Sequence, residues 1–255
     1  MKKALSRRDL LAGTGAALGA AIVGGAAARK ALGAAPGKAG GPPRWGIAVD
    51  LARCASQDGC RACIDTCHVA HRVPALADVR HEIKWVWKEP FSRVFPEQVH
   101  GWETEARQQM PVLVLCNHCV KAPCTRVCPT GATWRRSDGV VAMDEHRCIG
   151  CRYCMAACPY GSRSFNWEQP HPNPGAGNYP TRTAGVVEKC NLCVERIDAG
   201  QIPLCVETCQ ERGTAALTFG DLEDANSLLR QQLATRQVLR RRPSLGTEPH
   251  VFYLA

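Results

Sequence analysis

Two segments of the chain alternate apolar and polar residues and lead directly into cysteines. The first, "RWGIAVDLARC", ends in Cys54, and the second, "GVVAMDEHRC", ends in Cys148. Alternation with a period of two residues is typical of a strand with one buried face. The pattern therefore predicts a short strand before each of these cysteines, the second one over 140–143, and each strand runs into a cysteine-containing loop.

The remaining pattern predicts one helix, an extended tail and two irregular insertions. Leucine and valine recur at helical spacing in "DLEDANSLLRQQLATRQVL" (221–239), which starts with acidic residues, so this segment is predicted to be a surface helix. The tail "LGTEPHVFYLA" (245–255) is predicted to be extended. The long stretch over 71–109 and the Pro/Asn/Gly-rich stretch over 169–185 are predicted to be irregular.

The sixteen cysteines fall into four groups of four, with none left over. The third group has the spacing C-x2-C-x2-C-x3-C-P, typical of two-cluster bacterial ferredoxins, in which the fourth thiolate ligates the other cluster. The second group keeps the closing C-x3-C-P, the fourth opens its middle gap to eleven residues, and the first has a gap of five residues where two is usual. The groups are Cys54, Cys60, Cys63, Cys67; Cys116, Cys119, Cys124, Cys128; Cys148, Cys151, Cys154, Cys158; and Cys190, Cys193, Cys205, Cys209.

This spacing fits cysteines that hold 4Fe-4S clusters. A cube takes one thiolate per iron, so a short loop with a ligand at every third residue can reach three corners, and the fourth ligand must come from elsewhere. The C-x3-C step predicts the start of a helix that carries the last thiolate away, and the following proline ends that loop. Sixteen thiolates then predict four clusters.

Three other uses of cysteine fit the spacing less well. Disulfide scaffolds are typically short chains and do not need four tight quartets. Structural zinc sites usually consist of two separated pairs, unlike the run at 148–158. The haem attachment motif C-x-x-C-H is approached only by "CIDTCH", which has one residue too many.

The chain opens with the features of a Tat export signal. Arg7 and Arg8 form a twin arginine, and an apolar Gly/Ala-rich stretch follows that ends in small residues near 26–28. Residues 1–28 are therefore predicted to be a signal peptide and 29–43 a flexible linker. The alternative is a retained membrane anchor, because nineteen uncharged residues run from Leu10 to Ala28. Tat carries folded proteins, which suits a cargo that is loaded with clusters before export, so a periplasmic location peripheral to the inner membrane is expected.

The net charge of +9 does not indicate nucleic-acid binding. The segment before residue 29 carries four basic residues and one acidic residue, so about +6 is left for the exported part. Four oxidised clusters with their thiolates contribute roughly −8, which makes the loaded protein nearly neutral. The basic residues are therefore interpreted as compensating cluster charge.

The motifs together resemble the four-cluster, ferredoxin-like electron-transfer subunits of molybdopterin oxidoreductases and of polysulfide- and nitrite-reductase-type membrane complexes. The resemblance rests on the twin arginine and on "CNHCVKAPCTRVCP", "RCIGCRYCMAACPYG", "EKCNLCVERI" and "LGTEPHVFYLA". Within this family, "DGCRACIDTCHVAHRVP", "HEIKWVWKEP" and "CPYGSRSFNW" are most similar to the DsrO-type subunits of DsrMKJOP complexes of dissimilatory sulfur metabolism. The widened first quartet departs from the usual family spacing, and so the geometry of its cluster is open.

The resemblance implies an α+β fold of two pseudo-symmetric ferredoxin-like modules, with long irregular insertions and a C-terminal helix and tail. The expected segments after the linker are 44–110, with the first quartet and an insertion; 111–169, a module with the second and third quartets; 170–220, an insertion and the fourth quartet, which pairs with the first; and 221–255, the C-terminal helix and tail.

Applied to these two halves, the ferredoxin rule implies the ligand sets. The four expected clusters take Cys54, Cys60, Cys63 and Cys209; Cys190, Cys193, Cys205 and Cys67; Cys116, Cys119, Cys124 and Cys158; and Cys148, Cys151, Cys154 and Cys128.

The implied function is electron transfer between redox partners, with no catalytic residue in this chain. The expected partners are an NrfD/DsrP-like membrane subunit that handles quinone, a DsrJ-like multihaem cytochrome and DsrMK-like subunits; a molybdopterin oxidoreductase or a nitrite, polysulfide or tetrathionate reductase complex is the alternative. An enzyme with its own active site and a structural or sensor protein are two further alternatives.

The three histidines His68, His71 and His118 lie beside cysteines and are interpreted as hydrogen-bonding residues. Contacts with the membrane partner are expected from the insertions and the tail, with Trp85 and Trp87 as anchors, unless these two tryptophans pack into the core.

Overall fold

The computed structural model describes residues 41–169 and 179–255. The predicted signal peptide, most of the predicted linker and the middle of the 169–185 insertion lie outside these residues. Within the described part, no helix combines the length and the apolar character needed to cross a membrane.

Short elements make up the described chain. The strands are β1 (Trp45–Asp50), β2 (Val86–Pro90), β3 (Pro111–Leu115), β4 (Thr133–Arg135), β5 (Val141–Met143), β6 (Ser164–Phe165), β7 (Val187–Glu188), β8 (Leu217–Asp221), β9 (Val238–Leu239) and β10 (Val251–Leu254). The α-helices are α1 (Leu51–Ala55), α2 (Ala62–Ala70), α3 (Phe91–Val94), α4 (Glu105–Gln109), α5 (Pro123–Arg126), α6 (Tyr153–Ala156), α7 (Val194–Asp198), α8 (Leu204–Glu211) and α9 (Leu228–Thr235). Three 3-10 turns cover Val79–His81, Glu145–Arg147 and Pro243–Leu245.

The strands form one four-stranded sheet and three two-stranded antiparallel sheets. The larger sheet has the order β8-β1-β10-β9, in which β10 runs parallel to β1 and β8 and β9 are antiparallel edges. The small sheets pair β2 with β3, β4 with β5, and β6 with β7. The α+β class is therefore confirmed, whereas the pseudo-symmetry of two modules stays a prediction.

The predicted first strand is present as β1, but the segment predicted to be a loop after it begins as the short helix α1. Asp50 ends β1, and its side chain accepts a hydrogen bond of 2.9 Å from the backbone N–H of Arg53, which caps α1. Burial opposes ionisation of Asp50, but its contacts with Arg236 and Arg53 hold the pKa of the carboxyl below its usual value. This junction places Cys54 on α1. The surface helix predicted over 221–239 is present but shorter, because Asp221 belongs to β8 and Val238 and Leu239 form β9; α9 buries only Leu229.

The tail does not lie free on the surface. Val251 to Leu254 form β10, a central strand with all four residues buried, and Val251 is in register with Ile47 of β1. The prediction of an extended segment is right. The four residues of β10 are too buried to contact another protein, so the expected contact of the tail with a membrane partner stays a prediction for its exposed residues, such as Leu245 and Ala255.

The first insertion is more ordered than predicted, because it contains β2, α3 and α4. Trp85 is 1% exposed, and its indole N–H donates to Glu188 at 2.8 Å. Trp87 is 9% exposed and donates to Glu89 at 3.0 Å. The core alternative is therefore confirmed for both tryptophans, and their assignment as interface anchors is wrong.

Candidate metal centres

The sixteen cysteines converge into four groups, each combining residues that the ferredoxin rule assigns to one cluster. Sites A, C and D each surround one cavity, and the cysteines of site B are grouped by their mutual electrostatic interaction. Ligation itself stays a prediction. Site A contains Cys54, Cys60, Cys63 and Cys209; site B contains Cys67, Cys190, Cys193 and Cys205; site C contains Cys116, Cys119, Cys124 and Cys158; and site D contains Cys128, Cys148, Cys151 and Cys154.

Helices join the sites in pairs. Helix α2 carries Cys63 of site A and Cys67 of site B, while α8 carries Cys209 of site A and Cys205 of site B. Four residues span about 6 Å along a helix axis, so A and B are neighbours. A C-x3-C step also joins sites C and D. Helix α5 carries Cys124 of site C and is followed by Cys128 of site D, while α6 carries Cys154 of site D and is followed by Cys158 of site C.

The two pairs meet between sites B and C. Cys116 of site C and Cys190 of site B belong to the same buried cluster. Lys189 Nζ donates to the carbonyl oxygens of Cys190 and of Val141, which lines the site C cavity. The four sites therefore follow one another in the order A, B, C, D.

Exposure differs along this order. All four cysteines of site B are buried, as are Cys116, Cys119 and Cys124 of site C. The site A cysteines are half-buried, and Cys151 of site D is exposed. The inner sites are thus shielded from water while both ends reach the surface.

A left-handed residue recurs in three of the loops. His118, Gly150 and Leu192 each precede the second cysteine of a C-x2-C pair and have φ values of 43°, 69° and 63°. Only Gly150 is signalled by the sequence, since glycine adopts this conformation readily. A Cβ atom at Gly150 would also collide with the carbonyl oxygen of Gly185.

Backbone N–H groups from one of these loops, from α8 and from β7 point toward sulfur. Leu192 donates to Cys190 Sγ at 3.4 Å, Leu204 donates to Cys193 Sγ at 3.4 Å, and Val187 donates to Cys148 Sγ at 3.5 Å. Such donors stabilise thiolates and tune the potential of iron–sulfur clusters.

The widened first quartet has a specific geometry. Cys54 lies on α1, and the chain then leaves the helix and returns through Gly59, whose φ is 63°, to Cys60. The five-residue gap is thus the end of a helix followed by a loop, and Cys54 still lines the site A cavity.

The donor set fits a metal cluster. All sixteen cysteines are free thiols. Burial, followed by the charges of neighbouring thiolates, raises the pKa of Cys63 to about 12 and that of Cys119 to about 12. Four thiolates packed this closely need a positive partner, and a coordinating metal deprotonates a thiol outright.

The three histidines make the hydrogen bonds that the sequence interpretation expects. His68 Nε2 donates to the carbonyl oxygen of Val86 at 3.1 Å. His71 Nδ1 donates to the carbonyl oxygen of Cys67 at 2.9 Å, 3.6 Å from the Cys67 sulfur. His118 Nδ1 accepts from the backbone N–H of Val141 at 3.0 Å, and burial lowers the pKa of its ring, which favours the neutral form.

One acidic residue near site B has no role predicted from the sequence, although it lies within the motif "EKCNLCVERI". Glu195 accepts from His71 Nε2 at 3.0 Å, and His71, Cys193 and Glu195 place their ligand-type atoms within 4.8 Å of one another. Since Cys193 belongs to site B, this trio is part of the surroundings of that site.

Comparison with known proteins agrees with this geometry. Residues 110–222 match the 4Fe-4S dicluster domain family. The chain is 38% identical to the Hdr-like menaquinol oxidoreductase iron-sulfur subunit 1 of Archaeoglobus fulgidus, over 98% of this chain and 97% of the relative. It is 36% identical to a tetrathionate reductase subunit of Salmonella typhimurium, over 83% and 72%, and 35% identical to the protein NrfC of Escherichia coli K12, over 82% and 79%. The chain therefore belongs to the family of iron–sulfur electron-transfer subunits, and its cofactors are 4Fe-4S clusters.

Proposed function

We propose that this chain is a linear electron relay in which four 4Fe-4S clusters occupy sites A to D. The observation that carries this proposal is the order of the sites, with two buried sites inside and two sites at the surface. When bound, each cluster supplies a one-electron carrier. The chain itself holds the thiolates, donates backbone hydrogen bonds to sulfur and keeps water away from sites B and C.

The surface around site D is suited to a tightly bound partner. Ile149, Tyr153 and Trp167 are 67%, 62% and 47% exposed there. The guanidinium of Arg152 lies 4.8 Å from the Trp167 ring centroid, and Arg126 is exposed two residues before Cys128. An exposed aromatic patch with a cationic rim favours a partner surface that is apolar with acidic residues at its edge.

The surface around site A has a different character. Arg53, Asp58 and Arg61 are exposed near its cysteines. A charged surface of this kind suits a partner that binds and leaves, because complementary charges mainly accelerate encounter.

The proposed partners combine the character of these two surfaces with the family resemblance. The proposed partner at site D is an NrfD/DsrP-like membrane subunit that handles quinone, and the DsrJ-like cytochrome and DsrMK-like subunits complete a DsrO-type assembly of sulfur metabolism. The similarity to a menaquinol oxidoreductase subunit supports the quinone link. The similarity to a tetrathionate reductase subunit supports a second candidate, a complex with a molybdopterin catalytic subunit.

A mild-detergent pulldown with quinol tests the relay and its partners. We expect a membrane subunit of the NrfD type to co-purify and added quinol to reduce the clusters. An Ile149→Asp, Tyr153→Ser double variant is expected to lose the membrane subunit while keeping its iron, because it places polar atoms in the apolar patch. Leu228→Asp, an equally exposed change on α9, is the matched control.

Three outcomes of this experiment decide between the proposals. Co-purification of DsrJ-, DsrM- and DsrK-like proteins supports the sulfur-metabolism assembly. A molybdopterin subunit in their place transfers the chain to the second candidate. A loaded protein that binds no partner and does not respond to quinol contradicts the relay.

The compartment proposed for this chain is the periplasm, reached through the Tat pathway. The twin arginine, Arg7 and Arg8, supports this location. Changing both residues to lysine is expected to leave the precursor in the cytoplasm, because the pathway recognises the arginine pair and not positive charge alone. Fractionation followed by immunoblotting measures the distribution, with Lys2→Arg, Lys3→Arg as the matched control; export of the lysine variant at the normal level would contradict the assignment.

A further inference from the structure

Arg163 and Lys189 are buried cations that lie beside the inner cysteine sites and have no carboxylate partner. Among the described residues, Arg241 is a third buried cation without one, but its guanidinium lies 5.1 Å from the Tyr160 ring centroid and makes no hydrogen bond to a cysteine sulfur. Arg163 is 4% exposed and Lys189 is 2% exposed. Neither takes part in any ion pair among the described residues. Arg182 is equally buried but pairs with Glu188 at 2.7 Å, as buried charges normally do.

Arg163 lies between sites C and D. Its Nη2 donates to Cys124 Sγ of site C at 3.0 Å and to Thr133 Oγ1 at 2.8 Å. Its Nη1 lies 3.5 Å from the sulfur of Met143, which lines the site D cavity. The guanidinium thus contacts one cysteine of site C and the lining of site D.

Lys189 lies between sites B and C. Its Nζ donates to the carbonyl oxygen of Cys190 in site B at 2.8 Å and to the carbonyl oxygen of Val141. Val141 also lines the site C cavity, so the ammonium group of Lys189 lies between the two sites. Site C is therefore flanked by a buried cation on each side.

At site B the buried ring of His71 faces the carboxylate of Glu195 at 3.0 Å, so among the described residues no other site has an equivalent pair of buried cations without carboxylates. The cations that line site A are Lys88, which is half-buried, and Arg212, which is exposed. Water and salt screen charges in such positions much more than charges in the interior. A buried cation without a carboxylate is costly unless another negative group faces it, and for Arg163 and Lys189 the available negative groups are cysteine thiolates.

We propose that Arg163 and Lys189 are positioning residues that raise the reduction potential of the cluster at site C above the potentials of its neighbours, so that this cluster is the electron reservoir of the relay. Reduction adds one negative charge to a cluster, and a fixed positive charge nearby stabilises the reduced form. Arg163 carries this charge at every working pH, because a guanidinium is effectively always protonated. The inference rests on the proposed occupancy of site C by a 4Fe-4S cluster.

Redox titration of the loaded protein, followed by electron paramagnetic resonance, tests this inference. The signal of the cluster at site C is identified as the one that a Cys119→Ala chain lacks. In the wild-type chain this signal is expected to be the first to appear on reduction. Arg163→Gln and Lys189→Gln are each expected to lower the reduced-to-oxidised ratio of that signal at least tenfold at a fixed potential, which corresponds to about 59 mV for a one-electron couple. Arg147→Gln, which removes an exposed cation next to Cys148 of site D, is the matched control and is expected to change the ratio less.

One further variant separates the effect of the charge from the effect of packing. Arg163→Lys retains the charge and is expected to keep most of the reduction potential of the site C cluster. If Arg163→Gln fails to bind iron, the measurement on Lys189→Gln tests the proposal instead. The proposal is overturned if the site C signal keeps its potential in glutamine variants with full iron content, or if another signal appears first in the wild type. Failure of quinol to reduce the clusters would instead contradict the relay and leave this charge effect intact.

Discussion

Cys60→Ala and Cys209→Ala are expected to remove the same cluster, although the two residues are far apart in the sequence. Both line the cavity of site A. Each variant should therefore bind about twelve irons, where the wild-type chain binds about sixteen, because a cube carries four irons. Cys205→Ala should also lose about four irons, but from site B, even though Cys205 is only one helical turn from Cys209 on α8.

Iron and acid-labile sulfide analysis together with electron paramagnetic resonance of anaerobic samples measures these losses. Gln210→Ala, an exposed position next to Cys209, is the matched control and should keep all of its iron. The shared site is contradicted if Cys205→Ala and Cys209→Ala lose one common signal, since each quartet would then hold its own cluster.

Removal of iron is expected to abolish the cooperative thermal transition of the described domain. The longest helix of that domain, α2, has nine residues, and three of the four sheets have only two strands. Isolated elements of this size are marginal in water. The sites also join remote segments, as when Cys54 meets Cys209. Structural zinc in zinc-finger peptides contributes roughly 10–16 kcal/mol, as much as the whole net stability of a typical domain, and clusters that join remote segments act in the same way.

Near-ultraviolet circular dichroism during heating compares loaded and iron-free protein under anaerobic conditions. Rebuilding the clusters with iron and sulfide should restore the transition, which serves as the control for irreversible damage. An iron-free chain that still melts cooperatively near the temperature of the loaded protein would show that the apolar core is sufficient.

Local patterns in the sequence predict the elements that hold the cysteines. The alternation before Cys54 and the C-x3-C steps depend on neighbouring residues, and β1, α2 and α8 lie where these patterns indicate. The strand predicted over 140–143 is present as β5.

Long-range partners explain what the sequence did not predict. The pattern in 245–255 indicates an extended segment but not its pairing with β1, which depends on residues about 200 positions earlier. Trp85 resembles an interface anchor until the buried carboxylate of Glu188, its hydrogen-bond partner, is known. The left-handed residues His118 and Leu192 carry no glycine signal, because their conformation follows from the surrounding loop.

The parallel pairing of β1 with β10 has a consequence for the order of events during synthesis. Ile47 and Val251 are neighbours in the sheet, so β1 has to wait for about 200 further residues before its central partner leaves the ribosome. Site A has the same dependence, since Cys54 meets Cys209. An emerging chain can therefore complete neither its largest sheet nor site A, and stable folding together with cluster insertion at site A must follow translation of nearly the whole sequence shown.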